Sequence, residues 1–114
     1  MSKRKDPELL EDIKEAIEKI ILYTEGIDHK KFIEDSQIHD AVVRNLEIIG
    51  EATKNISSTL KGRYPEVPWR KLAQLRDVLI HQYDGVNLDV LWEIIEDSLR
   101  DLERQIEDVR KKER

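Results

Sequence analysis

Apolar residues at Leu91, Ile95, Leu99, Leu102, Ile106 and Val109 follow one another at spacings of four, four, three, four and three. That rhythm keeps one stripe on one face of an α-helix and would scatter over both faces of a strand. It predicts a long amphipathic helix from Leu88 to about Lys111. The amino-terminal end repeats the pattern. Asp6-Pro7 reads as an N-cap followed by proline at the first helical position, and Leu9, Leu10, Ile13, Ile17, Ile20 and Ile21 recur at helical spacing up to Tyr23. With four glycines and three prolines in 114 residues, 39% of them charged, the chain has the makings of solvated helical faces and few of the turns a sheet requires.

Between these two helices, Gly26 and Asp28 break the pattern, and His29 to Ile33 reads as a short helical turn before Ser36 caps the next long element. That element runs from about Gln37 to Ser57. Its apolar residues, Ile38, Ala41, Val42, Val43, Leu46, Ile48, Ile49, Ala52 and Ile56, cover more than one stripe, which predicts packing on two sides, one of them open to a second subunit. Ser58 to Val67, with Gly62 and Pro65, reads as irregular, and Pro68 opens a helix over Trp69 to His81. A turn around Asp84-Gly85 leads to the last helix. The expected fold is all-α: an up-and-down bundle of four main helices plus one short helix, one domain over residues 1–114, with Trp69 or Trp92 in its core.

The chain has no cysteine, so disulfides, thiolate nucleophiles and Cys-based zinc sites are excluded. No apolar run approaches the ~20 residues of a membrane span and the basic amino terminus meets Asp6-Pro7-Glu8 rather than an apolar stretch, so the expected compartment is the cytoplasm. A net charge of −5 argues against holding nucleic acid by bulk attraction. The charge is unevenly spread, however: from Arg44 to Tyr83 seven basic residues face four acidic ones, a locally basic middle in an acidic chain.

One stretch could carry chemistry: Arg76-Asp77-Val78-Leu79-Ile80-His81-Gln82-Tyr83. A histidine can move a proton near neutral pH, and an arginine can hold fixed positive charge against a phosphate whose charge grows in a transition state. Those are the parts a metal-free ribonuclease requires. Asp77 precedes His81 by four positions, which puts both on one helical face, where the carboxylate could orient the imidazole. Arg76 is about 140° around the axis from His81, at ~100° per residue, so the arginine reaches around, the helix distorts, or a second copy completes the site. A symmetric dimer, with the third helix and the motif-bearing fourth helix at its interface, is the simplest of the three. The same residues also suit a helix that catalyses nothing, since a protonated histidine favours a helix carboxyl end and tyrosine packs readily at a surface. His29 and His39, near helix starts and without convergent carboxylates, read as exposed or capping residues, and no His and acidic spacing suggests a metal site.

Arg76, His81 and Tyr83 match the R-x4-H-x-Y signature of the HepT toxins of the HEPN superfamily, and the chain resembles that family also in Arg44-Asn45-Leu46-Glu47-Ile48-Ile49-Gly50-Glu51-Ala52, in Trp69-Arg70 and in Tyr83-Asp84-Gly85-Val86-Asn87. The likeness extends from about Asp6 to Val109. It implies a homodimeric helical bundle whose two motifs line one cleft and cut RNA without metal or other cofactor, the 2′-hydroxyl attacking the adjacent phosphate to leave a cyclic phosphate. His81 would be the general acid or base, Arg76 the transition-state clamp, and Asp77 a residue that helps position them. Tyr83 would be the acceptor of AMP from an MntA-type nucleotidyltransferase antitoxin, and the added anion would occlude the cleft. Gln82 stands where many relatives carry glycine, which stiffens the turn that presents Tyr83. Lys54, Lys61, Arg63, Arg70 and Lys71 are candidate RNA phosphate contacts. The alternative is a non-catalytic helical binding module or regulatory partner of a nucleotidyltransferase, which the acidic surface and two-sided helix also suit.

Overall fold

The computed structural model describes the backbone of residues 4–81 and 87–114 and the side chains of residues 4–76 and 87–114. All its regular elements are helices: α1 (Asp6–Thr24), α2 (His29–Glu34), α3 (Ser36–Asn55), α4 (Ser58–Arg63), α5 (Trp69–His81), α6 (Leu88–Asp97) and α7 (Leu99–Lys112). The all-α expectation holds, with more pieces than the periodicity showed.

The apolar stripes close on one core. Leu10, Ile13, Ile17 and Ile20 of α1, Val42, Leu46 and Ile49 of α3, and Leu99, Ile106 and Val109 of α7 are all buried. Helix α3 lies between α1 and α5, while α7 packs on the other side of α1 and α6 packs on α2. The two stripes of α3 are thus taken by two helices of its own chain. Trp69 is buried and its indole N–H donates to the Tyr64 carbonyl at 2.9 Å, whereas Trp92 is half-buried against Phe32 at 5.3 Å between ring centroids.

Three local readings shift. Asp35, rather than Ser36, caps α3, its carboxylate accepting from the backbone N–H groups of Gln37 (3.1 Å) and Ile38 (3.3 Å). At the start of α1 the N-cap is Lys5, and Asp6 instead accepts from the Ser57 backbone N–H (2.9 Å) and hydroxyl (2.5 Å). Ser57 in turn accepts from the Leu60 N–H at 3.1 Å, and this cap, with Leu60 buried beneath it, makes a helix of the segment expected to be irregular. The long last helix is broken at Ser98, whose φ of −124° is far from helical, yet the Ser98 N–H and carbonyl still bond to Ile94 and Leu102. The break lets α6 serve α2 while α7 serves α1, and each half keeps its apolar stripe inward.

The carboxyl-terminal end is clamped to α4. Glu113 accepts from the Tyr64 hydroxyl at 2.5 Å and from the Arg63 guanidinium at 2.6 Å. The Tyr64 hydrogen bond, helped by Arg63, holds the Glu113 carboxyl below its ordinary value of 4.5 and raises the Tyr64 phenol above 10.0. A depressed carboxylate contributes stability that is present above the unfolded-state value and is lost as pH falls through the lower folded-state value. The Tm advantage of the wild type over Glu113→Gln is therefore expected to be largest near neutrality and to shrink steadily below pH 4.5; paired thermal melts across that range check it, and an advantage that grows on acidification contradicts it. Among the described residues, no helix is long and apolar enough to cross a membrane.

Candidate active site

Helix α5 crosses α3 at unusually short range, and the cause is Gly50. A Cβ built on Gly50 would stand 2.7 Å from both the Cβ and the backbone nitrogen of Arg76. No side chain fits there, so the glycine lets the two helix backbones meet at the residue that begins the Arg-x4-His motif. One residue further along α3, Glu51 takes the Arg76 side chain, Nε to Oε2 at 2.8 Å, with side-chain exposures of 38% and 52%. An ion pair this open is worth ~1 kcal/mol or less to folding. Its effect is geometric: it engages the inner nitrogen of the guanidinium, while the two terminal nitrogens make no hydrogen bond with any other described residue.

Arg76 thereby enters a groove of about 730 Å³ that runs along α3 between α1 and α5. Arg44, Glu47, Ile48, Glu51, Ala52 and Asn55 form the α3 side of this groove, at the i, i+3, i+4, i+7 rhythm of one helical face. Leu9 and Asp12 close it from α1, and Arg4 lies across its end, bound to Asp12 through two contacts of 2.8 and 2.9 Å. Lys54 completes the lining. The volume is within the ~300–1,000 Å³ of small-ligand sites, and its charged groups are of both signs.

The residues expected to act are dispersed differently from their order in the chain. The α5 backbone carries positions 77 and 81 on one face, with position 76 about 140° around the axis from position 81, at ~100° per residue. The side chains of Asp77 and His81 lie outside the described residues, as does Tyr83 together with Gln82 and the turn at Asp84-Gly85. Of the five lysines and arginines expected to meet phosphate, only Lys54 is on the groove. Lys61 and Arg63 are on α4, where Arg63 is bound to Glu113, and Arg70 and Lys71 are exposed on the first turn of α5. Arg44, Glu47, Gly50 and Glu51 were not singled out individually by the residue pattern, although all four fall in the Arg44–Ala52 phrase that carries the resemblance.

The remaining histidines have structural partners. His29 Nε2 is 2.7 Å from Asp89 Oδ1, its ring stacked on Trp92 at 5.8 Å, and His39 Nδ1 is 3.2 Å from the Phe32 carbonyl near the end of α2. Among the described residues no three His, Asp or Glu side chains converge as metal ligands would.

Comparison with known proteins identifies the family. The family model "Ribonuclease HepT-like" matches residues 13–109. "Probable ribonuclease HepT" of Thermococcus cleftensis is 46% identical over 109 residues, 96% of this chain and 99% of that protein. "Putative RNase MJ1380" of Methanocaldococcus jannaschii is 38% identical over 107 residues, covering 94% and 98%, and "Putative RNase TTE0752" of Caldanaerobacter subterraneus subsp. tengcongensis is 40% identical over 105 residues, covering 92% and 94%. No solved structure was found to match. A match over nearly the whole helical bundle, motif helix included, means that this chain belongs to the HepT-like ribonuclease family.

Proposed function

We propose that the chain is a metal-independent endoribonuclease, the toxin of a HepT/MntA-type toxin–antitoxin pair, acting as a homodimer with Arg76 and His81 at a shared cleft. The observation that carries this reading is Arg76, seated against Gly50 and held by Glu51 so that its terminal nitrogens remain available on an open groove. In the reaction, the 2′-hydroxyl of one nucleotide loses its proton and attacks the adjacent phosphorus. The bond to the 5′-oxygen of the next nucleotide breaks, and that oxygen gains a proton. The products are a 2′,3′-cyclic phosphate and a 5′-hydroxyl. His81 supplies proton transfer, Asp77 orients it, and Arg76 neutralises the charge gathering on the phosphoryl oxygens. Divergence of positions 76 and 81 around α5 supports a site completed by a second copy, because one protomer alone aims them at different sides.

Tyr83 is the proposed regulatory site: an MntA-type antitoxin transfers AMP from ATP to its phenolic oxygen and releases pyrophosphate, which adds a bulky anion two residues from His81 and repels RNA. The test is RNA cleavage by the purified protein in EDTA, with end groups of the products identified and intact mass measured beforehand to show whether AMP is present. Cyclic phosphate ends formed in EDTA support the proposal; no cleavage by AMP-free protein refutes it and favours a binding module. A monomeric mass by light scattering at working concentration contradicts the shared cleft.

Glu51 is then a positioning residue. Glu51→Gln removes a negative charge from the groove and the charge-assisted hold on Arg76 together. The expected outcome is a lower KM for RNA, with kcat reduced about tenfold and little change in Tm. Steady-state kinetics with a melt of each variant measure this, and an unchanged kcat rules out the positioning role.

A further inference from the structure

Arg44 and Glu47 stand one turn apart on α3, both on the groove that Arg76 enters, and neither makes a hydrogen bond or ion pair with any described residue. Arg4, at the end of the groove, is taken up by Asp12. Arg44 is exposed and Glu47 half-buried, so both remain available to a ligand. A bare anion drawn to Arg44 would be opposed by Glu47 beside it. A ligand that satisfies both presents an anion to the arginine and an N–H donor to the carboxylate. Ile48, Ala52 and Leu9 line the same groove and give it an apolar part, suited to the flat face of an aromatic ring.

An anion, an N–H-bearing edge and an apolar ring face together describe a nucleotide. Position 44 is two helical turns from position 51, roughly 10 Å of axis at 1.5 Å per residue, and the Arg76 guanidinium is held at Glu51. One nucleotide step fits between two arginines so placed. We propose that the groove between α1, α3 and α5 is a subsite for the nucleotide flanking the cut, in which Arg44 holds the phosphate next to the one at Arg76 and Glu47 accepts a hydrogen bond from the exocyclic amine of the intervening base. Cytosine, adenine and guanine offer that amine. Uracil has only a ring N–H flanked by carbonyl oxygens that face the carboxylate, so it is disfavoured. This subsite rests on the reading of the chain as an RNA-cutting enzyme.

The test is binding of a short 2′-O-methyl RNA, which cannot be cut because it lacks the attacking hydroxyl, to the full chain by fluorescence anisotropy over a series of salt concentrations. Arg44→Ala is expected to weaken binding about tenfold and to reduce the salt slope by about 0.7, the value of one single-strand phosphate contact, and Arg44→Lys to restore most of the affinity. Glu47→Gln is expected to reduce the preference for cytosine over uracil at one position to about twofold or less. Far-UV circular dichroism confirms that each variant is folded. Equal affinity and slope for wild type and Arg44→Ala overturn the subsite, as does an absence of binding by the wild type. A loss of affinity accompanied by dissociation of a dimer in light scattering also overturns it, because the groove is then covered by a second copy. Cleavage of unmodified RNA is measured alongside. Arg44-dependent binding without cleavage sinks the ribonuclease reading and leaves the groove as an RNA-binding surface only, whereas cleavage with Arg44-independent binding sinks the subsite and leaves the ribonuclease.

Discussion

Replacing His81 with alanine is expected to slow RNA cleavage by about 10²–10⁴-fold, the usual contribution of a positioned general acid or base, and Arg76→Ala by about 10²–10³-fold, the cost of one charge-stabilising donor. On the proposed mechanism the two losses come from different parts of one step. Without His81 the 2′-hydroxyl proton and the leaving oxygen would lose their proton-transfer partner. Without Arg76 the phosphoryl charge would grow beside Glu51, which the substitution leaves on the groove without its cation. Helicity should stay intact for Arg76→Ala, because its ion pair is open to solvent and adds little to folding. Far-UV circular dichroism beside a cleavage assay in EDTA reads both quantities. Cleavage that survives both substitutions would remove the motif from the active site, whatever its fate as a family signature.

The second large effect belongs to a residue with no chemistry of its own. Gly50→Ala places a methyl group 2.7 Å from the Arg76 backbone nitrogen and Cβ, atoms that cannot swing aside as the end of a flexible side chain would. Helix α5 has to move off α3. Overpacking of this kind typically costs about 1–3 kcal/mol, which for a chain of this size is a fall in Tm of roughly 4–8 °C per kcal/mol. Because Arg76 travels with α5, kcat should fall along with Tm, while the RNA affinity that the proposed subsite assigns to Arg44 should remain. Gly62→Ala is the control: its Cβ meets nothing within 4 Å, so the substitution is expected to be neutral or slightly stabilising. Thermal melts and kinetics of both variants test the claim, and equal behaviour of the two would show that the α3–α5 crossing tolerates a side chain.

The helices were readable because helix formation of this kind leaves a local record. The stripe from Leu91 to Val109 continues through the break at Ser98, since both halves face the same core, and so the break itself left no mark in the spacing. Helix α4 has six residues, too few for a period to show, and it exists because Ser57 caps it and Leu60 anchors it. The caps at Asp35 and Lys5 differ from the expected ones by a single position. Asp6 had the right residue type for a cap, but Ser57 claimed its carboxylate, a partner that only the folded chain brings near.

The candidate site divides along the same line. Arg76, Asp77, His81 and Tyr83 are close in the chain, and a motif of eight residues can be seen without a fold. Glu51, Gly50, Arg44 and Glu47 belong to another helix, and nothing in their types alone ties them to Arg76. The sequence by itself determined the long helices, the two-sided character of α3 and the divergence of positions 76 and 81 around α5, because each follows from the 3.6-residue period and needs no neighbour. Only the tertiary structure decided that α5 takes the second side of α3, that Arg76 turns into the α1–α3 groove, and that Glu51 meets it at 2.8 Å. Those outcomes depend on how closely two helix axes can approach, which one missing side chain at Gly50 sets for the whole crossing.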